Sequence, residues 1–185
     1  CWGMDNFGQS TIPADLGTVS NIAAGNFHTC AIKTDGTAQC WGMDNFGQST
    51  VPSDLSTVIS ISAGEDHTCA IKTDGTAQCW GVNDGSYNDY GQTTTPNDLG
   101  TVSSISAGGF HNCAIKTDGT VQCWGYNNTG QSTVPDDLGN VSKISSGGSF
   151  DGGWGNGHTC AIKTDGTAQC WGMDNFGQST IPADL

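Results

Sequence analysis

Four histidines recur at one position of an internal repeat, and histidine suits both proton transfer and metal binding near neutral pH. Each stands two residues before a cysteine: His28, His67, His111 and His158. A catalytic or metal site needs different side chains to converge once on one place in the fold. A histidine that recurs in every repeat instead indicates a structural task, such as a hydrogen bond to the backbone of a neighbouring loop. We therefore predict structural histidines.

Eight of the nine cysteines form four pairs with one common spacing, and Cys1 is left over. The pairs are Cys30 with Cys40, Cys69 with Cys79, Cys113 with Cys123, and Cys160 with Cys170. Zinc binding is the competing interpretation, but the long spacing within each pair fits zinc-finger ligand patterns poorly. Cysteines at this density are typical of oxidising compartments. The pattern predicts four disulfides and an extracellular or cell-surface protein, with Cys1 unpaired in this chain.

Aspartate and asparagine crowd the loops, where they could bind calcium or form turns. The stretch NDGSYND places Asp84, Ser86 and Asn88 two residues apart, as at the start of an EF-hand loop. Its glycine is misplaced, and the twelfth position holds Thr95 where that loop has glutamate. Turn formation explains these residues better, because Asp and Asn side chains bond to nearby backbone. We predict no cofactor, with calcium as the weaker alternative.

The charge balance argues against nucleic acids and anionic membranes as partners. The chain has 18 acidic residues, five lysines, no arginine and a formal net charge of −13. Nucleic-acid binding needs clustered cations, and an anionic membrane repels an acidic surface. No apolar run approaches the ~18 residues of a membrane-spanning helix. The sequence also holds no catalytic triad motif and no phosphate-binding loop, so we predict no nucleic-acid partner, no membrane insertion and no enzymatic activity.

The chain aligns with itself in units of about 40 residues. A single repeat domain, 1–185, contains a half unit and four full units: 1–16, 17–55, 56–99, 100–138 and 139–185. Residues 1–16 are identical to 170–185, and residues 28–50 are identical to 158–180. This identity predicts that the chain is one period, plus a half unit, of a longer array.

Each unit contains three short stretches typical of β-strands, and the last two flank an Asp-Gly turn. A two-residue Asp-Gly loop would leave the two cysteines of the unit diagonal to each other. A type I turn followed by a left-handed Gly36 instead pairs Lys33 with Thr37. Counting back along both strands then places Cys30 opposite Cys40, in a non-hydrogen-bonded pair where side chains approach closely. Turn and spacing together predict one cross-strand disulfide in every hairpin.

The predicted register gives each hairpin two faces without charge. The residues on these faces are Cys30, Ile32, Ala38 and Cys40 on one, and Ala31, Gln39 and Trp41 on the other. A strand pair that hides both faces must lie between neighbours, as in stacked or radially arranged blades. No helical periodicity occurs. We predict an all-β fold with blades of about three antiparallel strands, in an open superhelical array or a closed ring.

The stretch AGNFHTCAIKTDGTAQCWGMDNFGQST resembles the regulator of chromosome condensation repeat family. That family shares Gly-x-x-His, an apolar strand, Asp-Gly, Trp-Gly and Asn-x-x-Gly-Gln, and the resemblance covers essentially the whole chain. It implies β-propeller blades, and the short repeat is similar to a bacterial secreted branch that includes a β-lactamase-inhibiting propeller. The cysteines and the lack of a basic surface depart from the chromatin factor, so its DNA-related and nucleotide-exchange roles are not carried over.

Two units carry insertions at the end of the hairpin opposite the Asp-Gly turn. The second unit reads VNDGSYNDY after Trp-Gly, and the fourth reads SGGSFDGGWGNGH up to its histidine. Aromatic side chains on such loops suit a contact surface, whereas neutral loop drift is the alternative. The candidate contact residues are Tyr87, Tyr90, Phe150 and Trp154.

These patterns predict a secreted scaffold, stabilised by disulfides, that forms an extracellular structural array or filament. Its partners would be further copies, through self-association or continuation of the repeats. The alternative is a propeller module that binds or inhibits one protein through the face with the insertions.

Overall fold

The computed structural model describes residues 1–151 and 154–183, whose strands form four separate three-stranded antiparallel sheets. Each full repeat unit builds one sheet, with its strands in sequence order, and we call each sheet a blade. The first strands are β1 (Val19–Ala24), β4 (Val58–Ala63), β7 (Val102–Ala107) and β10 (Val141–Asp151). The second strands are β2 (His28–Lys33), β5 (His67–Lys72), β8 (His111–Lys116) and β11 (Trp154–Lys163). The third strands are β3 (Ala38–Gly42), β6 (Ala77–Gly81), β9 (Val121–Gly125) and β12 (Ala168–Gly172).

The fold class is all-β, as predicted. Within the described ranges, no helix is long and apolar enough to cross a membrane.

The hairpin of β2 and β3 has the predicted register. The Lys33 amide donates to the Thr37 carbonyl at 2.8 Å, and the Gly36 amide donates back to the Lys33 carbonyl at 2.9 Å. Gly36 has a φ of 86°, the left-handed conformation that a bulge residue of this type requires. Cys30 lies opposite Cys40 as a result. The hairpins of the other three blades pair their cysteines in the same way.

Successive blades approach each other closely just after their first strands, and glycine makes this approach possible. The Asn26 amide donates to the Gly64 carbonyl of the next blade at 3.1 Å. A Cβ added to Gly25 would lie 2.5 Å from that oxygen, and one added to Gly64 would lie 2.5 Å from the Gly108 carbonyl oxygen. A side chain at these positions would therefore push neighbouring blades apart.

The hydrophobic core lies between blades. We call the hairpin face with the two cysteines the trailing face and the face with the tryptophan the leading face. Cys30 and Ile32 of the first trailing face pack on Ile61, Ala70 and Trp80 of the second leading face. The second and third blades, and the third and fourth, pack in the same way. In the second and third blades, both uncharged faces are covered by neighbours, as the residue pattern predicted.

The insertion of the fourth unit is a strand extension, so the prediction of a loop before His158 is wrong. The ladder between β10 and β11 continues from the Gly147–His158 pair to the Asp151–Trp154 pair. An insertion between two strands that are already paired can prolong their ladder, which keeps its backbone groups hydrogen-bonded. The first three blades have six-residue first and second strands.

Candidate functional site: the joint between blades

Successive blades are connected by a hydrogen-bond cluster around one loop carbonyl, which we call the joint. Between the first and second blades, the Gln48 carbonyl oxygen accepts the Thr68 hydroxyl at 2.8 Å and the Trp80 indole N–H at 3.1 Å. The Nε2 atom of His28 lies 2.8 Å from the same Thr68 hydroxyl. The joint therefore ties two side chains of one blade to a loop and a histidine of the preceding blade.

The donors and acceptors of the joint determine the histidine tautomer. The single Thr68 hydroxyl proton is donated to the Gln48 carbonyl, so the Thr68 oxygen can only accept a hydrogen bond from the N–H at His28 Nε2. In the next joint, His67 Nε2 lies 2.9 Å from Asn112 Oδ1, which also can only accept. Both rings therefore carry their proton on Nε2. Their Nδ1 atoms are buried and have no hydrogen-bond partner among the described residues.

The remaining joints repeat the loop carbonyl and its two side-chain donors, although the Gln9 group has no histidine among the described residues. Their members are Gln92 with Asn112 and Trp124, Gln131 with His111, Thr159 and Trp171, and Gln9 with Thr29 and Trp41. The joint is thus a repeated structural unit of the chain.

The joint histidines are neutral at neutral pH. Burial lowers the pKa of His28, His67 and His111 from 6.5 to about 4. Each holds two blades together through a side chain of the next blade. This differs from the bond to a loop backbone that the sequence suggested, because a threonine or asparagine lies between the histidine and the loop carbonyl.

The glutamine of the joint is the residue that sequence reasoning overlooked. Gln48 is fully buried, and its Oε1 accepts the Phe46 amide at 2.9 Å. This bond holds the turn that directs the Gln48 carbonyl toward the next blade. The sequence signal that could have identified it is a Gly-Gln pair, which stands at the same distance from the end of every unit.

The structure contains four disulfides, each within one hairpin. They link Cys30 to Cys40, Cys69 to Cys79, Cys113 to Cys123 and Cys160 to Cys170, while Cys1 is free and exposed. Three of the second-strand cysteines are fully buried against the next blade. These bonds therefore stabilise the hairpin and also form part of the core between blades.

The loop carboxylates serve turn formation. Asp44 Oδ1 accepts the amides of Ser49 and Thr50, each at 2.9 Å. Asn127 accepts the Ser132 amide at the same place in the third unit, so the role does not need a charge. Across the part of the chain that the structure describes, no three His, Cys, Asp or Glu side chains could together hold a metal ion.

In the stretch NDGSYND, for which calcium was the weaker alternative, the side chains are likewise bonded within the protein. Asp84 Oδ1 accepts the Ser86 amide at 2.9 Å. The Asn88 amide group donates to Asp66 Oδ2 at 3.1 Å.

The insertion loop of the second unit has one packed tyrosine and one exposed tyrosine. The Tyr90 ring lies 5.6 Å from that of Phe110 and 4.4 Å from that of Tyr126, which anchors the loop on the third blade. Tyr87 is 69% exposed. The side chains of Phe150 and Trp154, the other predicted contact residues, lie outside the described part of the chain.

Among the described residues, the leading face of the first blade and the trailing face of the fourth blade are not covered by a neighbouring blade. On the leading face of the first blade Ile22 is 52% exposed, whereas Ile61 at the same position of the second blade is 6% exposed. On the trailing face of the fourth blade Ile162 is 41% exposed, whereas its equivalent Ile71 is fully buried. These faces have the residues that pack on each other inside the chain.

The sequence matches the regulator of chromosome condensation (RCC1) repeat over more than half of the chain. The matched residues are 19–48, 58–92, 102–131 and 154–178. No curated protein sequence matches the chain at a significant level.

Several solved structures share the fold. The ectodomain of the Physcomitrella patens receptor kinase CR4 has a TM-score of 0.74 and 25% identity, covering 98% of this chain and 48% of that chain. Prp20p of Saccharomyces cerevisiae has a TM-score of 0.70 and 20% identity, covering 92% and 48%. Human WBSCR16 has a TM-score of 0.65 and 18% identity, covering 83% and 47%. The chain therefore spans about half the length of these structures. Placement in the bacterial secreted branch stays a prediction.

Proposed function

This chain belongs to the RCC1 repeat family, and we propose that it is an extracellular protein-binding scaffold whose partners include further copies of itself. The observation that carries the proposal is the pair of uncovered faces, Ile22 on the first blade and Ile162 on the fourth. Head-to-tail contact between two copies, or continuation into further repeats, would bury both. A head-to-tail contact builds a filament when its rotation does not close into a ring, and the open filament is the assembly that we propose.

The extracellular part of the proposal is supported by the disulfides. Four cross-strand disulfides in one chain need an oxidising compartment to form and persist. The likeness to a receptor ectodomain at 25% identity points to the same location.

The self-association part is supported by a contact already present in the chain. Residues 28–50 include the trailing face of the first blade, which packs on the second blade. Residues 158–180, with the identical sequence, form the corresponding part of the fourth blade. The fourth blade therefore has the chemistry needed to receive the leading face of another blade.

Replacing Ile162 by aspartate is the test of self-association. We expect the unmodified chain to form concentration-dependent oligomers, and Ile162→Asp to weaken association at least about tenfold, because the charge would be buried in an apolar contact. Sedimentation velocity over a concentration series measures this. Ile59→Asp is the matched control, since Ile59 is 58% exposed on the second blade, which has neighbours on both sides. Equal association of all three proteins would refute the proposal.

The acidic surface leads us to expect no binding of nucleic acid. With a net charge of −13 and no arginine, the chain has no group of cations to release counterions from phosphates. A gel-shift assay with duplex DNA and with RNA at about 150 mM salt should show no retained complex at micromolar protein. A salt-dependent retained complex would contradict this expectation.

A second candidate function is binding of a different protein through the loop at residues 82–90. The observation that favours it is Tyr87, exposed on a loop that Tyr90 and Asn88 anchor. Exposed tyrosines on anchored loops are frequent contact residues. Tyr87→Ala should lower the melting temperature less than Tyr90→Ala does, and it should weaken any protein complex, or the head-to-tail assembly, by about tenfold. Tyr90→Ala is the contrasting variant, because it should lower the melting temperature. If Tyr87→Ala changes no association, this candidate is wrong.

A further inference from the structure

The sequence contains two acceptor motifs for N-linked glycans, which read Asn-x-Ser or Asn-x-Thr with x other than proline. Residues 127–129 read NNT in the loop after β9, and residues 140–142 read NVS at the start of β10. Such short motifs arise often by chance. What the asparagine side chain does in the folded chain separates the two.

The asparagine of the first motif is committed to the turn of its loop. Asn127 Oδ1 accepts the Ser132 amide at 2.9 Å, and Asn127 Nδ2 donates to the Thr133 hydroxyl at 2.9 Å. Asp44 makes the same kind of bonds in the first unit. The third residue of the motif, Thr129, donates its hydroxyl to the glutamine side chain of the joint at 2.7 Å. Turn formation therefore accounts for Asn127.

The asparagine of the second motif stands where the other three blades have threonine. A Cβ added to Gly119 would lie 3.1 Å from Asn140 Cγ. One added to Gly75 would lie 3.2 Å from the Cβ of Thr101. Both residues therefore rest on the Asp-Gly turn of the preceding blade. The threonines at this position share a hydroxyl hydrogen bond with the turn threonine of their own blade: Thr18 with Thr34, Thr57 with Thr73, and Thr101 with Thr117.

This hydroxyl pair is lost in the fourth blade. The Asn140 carbonyl still accepts the Thr164 amide at 3.0 Å, as the threonine carbonyls do in the other blades. Among the residues that the structure describes, the Asn140 side chain has no hydrogen-bond partner, and it is exposed. Ser142, the third residue of the motif, is exposed as well. The exchange of threonine for asparagine therefore removes a hydrogen bond and creates an acceptor motif on the surface.

We propose that Asn140 is an attachment site for an N-linked oligosaccharide. In the transfer, Asn140 Nδ2 forms a bond to the anomeric carbon of the sugar and gives up one proton. The bond from that carbon to the diphosphate of a lipid-linked oligosaccharide donor breaks, and the lipid diphosphate leaves. This inference rests on the extracellular part of the proposed function, because N-linked glycans are carried on the surface of secreted proteins. The glycan would project from the end of the blades that has the Asp-Gly turns, which leaves the loop at residues 82–90 accessible.

The test uses the full chain, secreted from a eukaryotic host through a fused signal peptide. We expect the secreted protein to carry a glycan at Asn140, and peptide mapping after enzymatic removal of the glycan should find this residue converted to aspartate. Asn140→Thr gives the fourth blade the residue of the other blades. It should abolish the glycan at this position without lowering the melting temperature. Ser142→Ala should abolish the glycan while the asparagine is retained.

Asn127→Asp is the matched control. It destroys the first motif and supplies the residue that Asp44 represents in the first unit, so the turn should keep its hydrogen bonds. We expect this variant to keep both the glycan at Asn140 and the melting temperature of the unmodified chain.

The outcomes separate this inference from the proposed function. A secreted protein with its four disulfides formed and no glycan at Asn140 overturns the attachment site and leaves the extracellular proposal in place. A glycan that is lost in Asn127→Asp and kept in Asn140→Thr overturns the choice between the two motifs. A chain that stays inside the host cell with free thiols overturns both the attachment site and the extracellular part of the proposed function.

Discussion

Acidification from pH 7 to pH 4 is expected to lower the free energy of unfolding of this protein substantially. The cause is the set of joint histidines, His28, His67 and His111, whose pKa burial lowers from 6.5 to about 4. In the unfolded chain the same side chains return to about 6.5. Between these two values the unfolded state binds more protons than the folded state, so the free energy of unfolding falls as the pH falls.

The magnitude follows from the size of the pKa shift. For each histidine, the fall in pKa from 6.5 to about 4 corresponds to about 3 kcal/mol of folding stability. This stability is fully present above pH ~6.5 and is lost as the pH falls toward ~4. A loss of this size at one histidine is a sizeable part of the stability of an ordinary domain, which is about 5–15 kcal/mol. The physical reason is that a second proton would enter a buried Nδ1 that has no acceptor beside it, as in His28 and His67.

Chemical denaturation at several pH values between 7 and 4 measures this dependence. His67→Gln is the informative variant, because glutamine can still donate to Asn112 but does not titrate. When the free energy of unfolding is plotted against pH, we expect this variant to lose the part of the slope that corresponds to the uptake of one proton. His158→Gln, at the half-buried fourth position, is the matched control.

The carboxyl group of Asp66 has the opposite effect on the pH dependence of the free energy of unfolding, so it must be the same in all the proteins compared. Burial raises the pKa of Asp66, so its protonation stabilises the folded state as the pH falls. Asp66 is present in all variants, and its contribution cancels between them. A free energy of unfolding that stays flat from pH 7 to pH 4.5 in the unmodified chain would show that the buried histidines are not neutral.

The parts of the fold that depend on local sequence could be predicted, and the joint could not. The register of β2 and β3 follows from one turn and from two cysteines ten residues apart. The joint brings together Gln48 and Trp80, 32 residues apart, and His28 and Thr68, 40 residues apart. Such contacts depend on how one blade is placed on the next, which no pattern within a single repeat specifies.

The two insertions illustrate the same limit. Both contain glycine and aromatic residues, and the sequence gives no periodicity that distinguishes them. One is a loop held by Tyr90 on the third blade, and the other extends the ladder of β10 and β11. The difference arises from position: the first follows a third strand, whereas the second lies between two strands that already pair.

Removing the disulfides is expected to be the most damaging covalent change. Each bond closes a loop of ten residues' separation, for which the chain-entropy account gives a stabilisation of about 3 kcal/mol. Peptide mapping without reduction should recover four linked pairs, each from one hairpin. Recovery of Cys40 linked to Cys69, or of free thiols at these positions, would contradict the hairpin register. Full reduction should unfold the chain at neutral pH without added denaturant.

Two double variants separate the effect of loop closure from that of packing. Cys69→Ala with Cys79→Ala removes a bond whose Cys69 sulfur is fully buried against the third blade. Cys160→Ala with Cys170→Ala removes the equivalent bond of the fourth blade, whose trailing face is partly exposed. Loop closure is the same in both, so each should lose about 3 kcal/mol. The first should lose a further ~1–2 kcal/mol, because the deleted sulfurs leave space in a core between blades. Equal losses in denaturant titrations would mean that the disulfides stabilise only their own hairpins and contribute nothing to the contact between blades.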